Sequence, residues 1–127
     1  LTLSDLENGI AQDSLTYKIM TPNGVMFITI VEGMDYRKRP IPVAIFIVIG
    51  KTGSAITAWA NMTAALISQL FKLKVDLEDI IATISMNLSD QSTMQKPGIN
   101  IRSEPEGIKY ALFRYQENRN KRVEAMR

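Results

Sequence analysis

An α+β fold is predicted: a small, mainly antiparallel sheet of about three strands, with three helices packed mainly on one face. Three observations predict it. Three short runs rich in β-branched and aromatic residues come first, separated by turn signals. Segments with apolar residues at helical spacing follow. Two of the strand runs flank a polar loop and so read as a hairpin, which makes their pairing antiparallel.

The elements follow in order. Residues 15–21 (LTYKIMT) read as a short strand, and Pro22-Asn23-Gly24 as a turn. Residues 25–31 (VMFITIV) read as the second strand. Gly33 to Arg39 is a polar loop ending in Pro40. Pro42 is acceptable at a strand start but not inside a central strand. Val43 to Ile49 is then apolar at every position, which predicts a strand covered on both faces. Ser54 to about Lys72 reads as a helix with Ser54 as N-cap. Its polar stripe is narrow (Thr57, Asn61, Ser68, Lys72), and Ile56, Trp59, Met62, Leu66, Ile67, Leu70 and Phe71 cover most of the rest. One sheet does not cover that much apolar surface, so an oligomer is expected. Asp76 to Met86 reads as a second helix capped by Asp76, with Leu77, Ile80, Ile81 and Ile84 as its core stripe. Residues 87–102 are polar and irregular, with a turn at Lys96-Pro97-Gly98. Ser103 and Glu106 then have capping-box spacing, with Pro105 in the first turn of a third helix. Ile108, Ala111, Leu112 and Tyr115 form its buried face. The expected organisation is an N-terminal extension (1–14), one domain (15–118) and a basic C-terminal tail (119–127).

Composition narrows the chemistry. The 127 residues fit one core, and 22% charged residues is ordinary for a globular chain. No apolar run approaches the roughly 20 residues of a membrane helix, and the acidic N-terminus has no signal-peptide pattern, so a cytoplasmic protein with no membrane partner is expected. The chain starts on Leu1 without an initiator Met, as a processed chain or a piece of a longer one would. There is no Cys and no His. That removes disulfides, thiolate nucleophiles, thiolate or imidazole zinc sites and every Ser-His or Cys-His pair. An enzyme would have to rely on carboxylates, Lys, Tyr or an oxygen-bound metal, so we expect no catalytic residue, no cofactor and no enzymatic activity. The net charge is only +2, but residues 1–15 hold Asp5, Glu7 and Asp13 with no base. Residues 109–127 hold Lys109, Arg114, Arg119, Lys121, Arg122 and Arg127 against Glu117 and Glu124.

The stretch Gly50-Lys51-Thr52-Gly53-Ser54 joins a strand to a helix. It is not a phosphate-binding P-loop, because the first Gly of that motif falls on Ile45, inside the strand. Two readings stand. Two glycines and a helix N-terminus converge backbone N–H groups, and Lys51, Thr52 and Ser54 add charge and hydroxyls for a phosphate or nucleotide. Alternatively Gly50 and Gly53 only permit a tight turn, Ser54 caps, and Lys51 is solvated.

Residues 43–71 combine a strand, the Gly50–Ser54 stretch and a long helix containing Leu66-Ile67-Ser68. VDLEDIIATI follows at 75–84, and Arg102-Ser103-Glu104-Pro105-Glu106 precedes GIKYAL. In this order, over about residues 24–117, the chain resembles the TSCPD domain. That domain ends many adenosylcobalamin-dependent ribonucleotide reductases and also occurs as small separate proteins. The naming motif falls on residues 102–106, with Arg102, Glu104 and Glu106 where the family has Thr, Cys and Asp. Ser103 still serves helix capping, while any thiol role of relatives is absent. The resemblance implies an accessory or regulatory domain, without the reductase's own catalytic parts.

Three further groups complete the reading. Asp76, Glu78 and Asp79 at a helix start complement the helix dipole, and no metal is assigned to them. Asp35-Tyr36-Arg37-Lys38-Arg39 is a charged hairpin tip with one aromatic. Together with Arg114, Arg119, Lys121 and Arg122 it supports an alternative function, nucleic-acid binding. A solvated loop and a solvated basic tail account for the same residues. The leading expectation is a non-catalytic module acting through protein contacts, with a nucleotide or phosphate at residues 50–54. A free-standing module of this kind would suit a phage or mobile-element protein acting on a host partner.

Overall fold

A computed structural model describes residues 13–22, 24–50, 54–88, 101 and 103–126. Three strands, β1 (Ser14–Thr21), β2 (Gly24–Met34) and β3 (Pro40–Ile49), form one antiparallel sheet in the order β1-β2-β3. Three helices follow: α1 (Ser54–Lys72), α2 (Leu77–Met86) and α3 (Glu104–Ala125). The α+β architecture with the helices on one face is as expected.

Alternation sorts the sheet into two faces. Ile19, Met26, Ile28, Ile30, Ile45, Ile47 and Ile49 point to the helices and are buried. On the other side Thr29 pairs with Thr16 and Phe46, and Phe27 with Lys18 and Val48. Phe46 and Val48 are 53% and 60% exposed. The expectation that β3 is covered on both faces is therefore corrected: it is an edge strand whose outer Phe46 and Val48 are open, while the outer Ala44 is buried. Among the described residues, no helix lies on that face.

The β2–β3 pairing contains a bulge. Val31 pairs with Ala44, but Glu32 pairs with Pro42, so Val43 is the extra residue on β3. Pro40 and Pro42 are tolerated because β3 is an edge and the bulge lies beside them. The β2–β3 connection is shaped by Asp35. Its Oδ1 accepts from the N–H groups of Arg37 (2.8 Å) and Arg39 (2.9 Å), and Lys38 turns the corner at φ 62°.

α1 buries Ala60, Ala64, Ile67 and Phe71 at helical spacing against β3. Ser68 does not belong to a solvated stripe, as its helical position suggested. Its hydroxyl accepts from Ile45 N–H (3.0 Å) and donates to Ile45 C=O (3.3 Å). These backbone groups point away from β2, so α1 closes the strand edge there. The end of α1 is a Schellman motif: Lys74 N–H donates to Phe71 C=O and Val75 N–H to Leu70 C=O, with Lys74 at φ 62°.

Asp76 occupies the N-cap of α2, but its carboxylate makes no cap hydrogen bond, which corrects the expected role. α3 starts as predicted. Ser103 Oγ accepts from Glu106 N–H at 3.3 Å with Pro105 in the first turn. Ile108, Ala111, Leu112 and Tyr115 are at most 1% exposed. Burying an Ile or Leu side chain is worth about 2 kcal/mol, so this face anchors α3 on β1 and β2. Gly107 permits the close approach: a Cβ there would lie 2.7 Å from Met26 Cε. α3 continues as helix through 119–125, the segment read as tail.

Candidate functional site

Residues 51–53 of the proposed anion loop lie outside the described residues, as does the side chain of Ser54, where α1 begins. Gly50 is described. Its N–H donates to Val25 C=O at 2.7 Å, and an added Cβ would sit 3.3 Å from that oxygen. Gly50 thus serves the close approach of β3 to β2, and its N–H is not aimed at an anion.

The basic residues come together in a way the sequence did not reveal. Arg39 Nε pairs with Asp35 Oδ2 at 2.9 Å, which completes the hairpin loop. Arg119 Nε donates to Pro40 C=O at 2.7 Å and ties α3 to the start of β3. Arg122 holds Glu32 with two parallel bonds, Nη1 to Oε1 at 2.8 Å and Nη2 to Oε2 at 2.7 Å. Arg114 donates to Tyr110 Oη at 2.8 Å, within one helix. Arg37 lies 5.4 Å from the Tyr36 ring centroid. Lys38 and Lys121 are exposed. So Arg39, Arg114, Arg119 and Arg122 each have a structural partner.

Glu32 is the feature that sequence reasoning missed. It continues the inward register Met26, Ile28, Ile30, Glu32 and is only 5% exposed. A charged residue in a buried register was the available signal. Tyr115, fully buried, donates to Glu32 Oε2 at 2.6 Å. Burial works to raise the Glu32 carboxyl, but the bonds from Arg122 and Tyr115 outweigh it and hold the group below its ordinary value. Burial, then the bond to Glu32, pushes the Tyr115 phenol well up. The bond to Glu32 also raises Arg122. Glu32 has an arginine on both oxygens and a phenol on one. A general base needs a free oxygen within reach of its substrate, so this cluster is a clasp between sheet and α3.

A groove of about 590 Å³ opens beside the clasp, between the β2–β3 loop, the α1–α2 turn and α3. Ile41, Pro42 and Phe71 contribute apolar surface, and Tyr36, Lys74, Asp76, Glu78 and Arg119 contribute polar groups. Among the described residues, no three acids lie together as metal ligands, and no helix is long and apolar enough to cross a membrane.

With sheet, helix order and capping motif in place, the family can be stated. The chain belongs to the TSCPD-domain family, whose model matches residues 9–116, most of the chain. Membership links it to domains related to ribonucleotide reductases. No curated protein and no solved structure shows a significant match.

Proposed function

We propose that this TSCPD domain is a non-catalytic accessory or regulatory module that works through protein contacts, including contacts with further copies of itself. In the same reading a phosphate or nucleotide binds at Lys51, Thr52, Gly53 and Ser54, with Gly50 setting the turn that precedes them. The observation that carries the first part is the outward side of α1. No charged residue occurs between Ser54 and Phe71, and Met62 and Leu66 are 57% and 59% exposed. A helix facing water ordinarily carries charge on that side, and an uncharged apolar stripe marks a contact surface.

Sedimentation of the full chain tests this. An oligomer that Leu66→Glu converts to a folded monomer supports the reading, and a monomeric wild-type chain at high micromolar concentration overturns it. For the loop, Lys51→Ala is expected to weaken nucleotide binding more than tenfold, and unchanged affinity removes the loop. Binding of a short DNA duplex that falls steeply with salt would instead favour nucleic-acid recognition by the basic residues.

A further inference from the structure

The groove between the β2–β3 loop, the α1–α2 turn and α3 is separate from the 50–54 loop and suggests a second ligand site. We propose that it binds a nucleotide, with Lys74 and Arg119 taking the phosphate, Asp76 and Glu78 the sugar hydroxyls, and Tyr36 the base.

Size and lining come first. A volume of about 590 Å³ lies within the roughly 300–1,000 Å³ of small-molecule sites. Ile41, Pro42 and Phe71 supply apolar surface beneath a polar rim. The rim carries charges of both signs, and their existing partners decide what it can take. Asp35 is spent on its own loop, through Arg39 and two backbone N–H groups. Arg119 is oriented by the Pro40 carbonyl through Nε. Its two terminal nitrogens have no hydrogen-bond partner among the described residues, and a guanidinium edge of that kind suits phosphate oxygens. Lys74 has no ion-pair partner among the described residues, and Asp76 makes no cap bond. A bare anion would meet two cations but also two carboxylates. A ligand that joins a phosphate to hydroxyl donors satisfies both. Tyr36 is 86% exposed, with Arg37 near its ring, and leaves aromatic surface for a flat base.

The second observation is backbone conformation. Lys74 has φ 62° at the C′ position of a Schellman motif, where glycine is the usual residue. A side chain there is strained, and strain of this kind is found where a residue serves a ligand. The same fact supplies a clean variant. Lys74→Gly removes the ammonium while relieving the backbone, so lost binding cannot be blamed on lost folding.

The experiment is calorimetric titration of the full chain with AMP and GMP, with ribose 5-phosphate and inorganic phosphate as controls. It is repeated on Lys74→Gly, Tyr36→Ala and Lys51→Ala, with a thermal melt of each. Nucleotide binding is expected to weaken about tenfold in Lys74→Gly, which removes a charge-assisted contact. Its melting temperature is unchanged or higher. Tyr36→Ala weakens the nucleotides but not ribose 5-phosphate, and Lys51→Ala leaves the groove's affinity unchanged. Wild-type affinity in Lys74→Gly, inorganic phosphate bound as tightly as nucleotide, or no binding at all overturns the proposal. Loss in Lys51→Ala alone overturns it too, while leaving the 50–54 loop standing.

Discussion

Tyr115→Phe removes one oxygen and leaves the ring in place. The lost contact is the 2.6 Å bond from a fully buried phenol to the Glu32 carboxylate. Bonds to charged groups contribute about 1.5–3 kcal/mol. Glu32 keeps both arginine bonds, so the carboxylate is not orphaned, and the expected cost is near 2 kcal/mol. Unfolding entropy of about 2.1 cal/mol/K per residue gives about 0.27 kcal/mol/K for a chain of this size, so the melting temperature should drop by about 7 °C. Urea unfolding at neutral pH, read by circular dichroism, measures the difference with the slope unchanged. The pH dependence adds a second check. The folded Glu32 carboxyl lies below its unfolded value, so its contribution is fully present above the unfolded value and is lost as pH falls through the folded one. A neutral carboxyl takes a weaker bond, so the Tyr115→Phe penalty should shrink in acid. A penalty under 0.5 kcal/mol at pH 7 (about a quarter of the expectation) or one that grows in acid would refute the charge-assisted clasp.

Three other substitutions probe the remaining joints. Arg122→Met leaves a buried carboxylate with Tyr115 as its hydrogen-bond donor and should cost about 3 kcal/mol, with acid unfolding beginning at higher pH. Ser68→Ala strips both partners from Ile45 on the β3 edge and should cost about 1–2 kcal/mol by urea unfolding; a neutral result would mean that solvent replaces the hydroxyl there. Ser103→Ala should cost about 1 kcal/mol through loss of the N-cap bond to Glu106, again by urea unfolding.

Local rules carried most of the fold. The capping box set the start of α3, and helical spacing marked Ile108, Ala111, Leu112 and Tyr115, four of its five buried residues, because both signals are local. Strand runs were equally plain, and the apolar excess on α1 is present as exposed Met62 and Leu66. What failed depended on neighbours distant in the chain. The all-apolar β3 run could not say that its outer face would stay open. Ser68 looked solvated on a helical wheel, which does not show that the helix lies along a strand edge. Of the candidate site residues, Arg119 and Arg122 were legible as charge, but their partners, Pro40 and Glu32, are 79 and 90 residues away. The groove was equally hidden, since Tyr36, Lys74 and Arg119 come from three separate segments.

The extra residue at Val43 has an effect beyond its own strand. It resets the phase of β3, so that Pro42 shares the inner face with Glu32 while Ile45 shares it with Ile30. Ironing the bulge out, with Val43 paired to Glu32, would act as a frameshift in geometry. Residues 40–42 would turn over, the Pro40 carbonyl would leave Arg119, and the hairpin tip would re-aim relative to α3. One residue in an edge strand thus sets the alignment of the clasp and the groove alike.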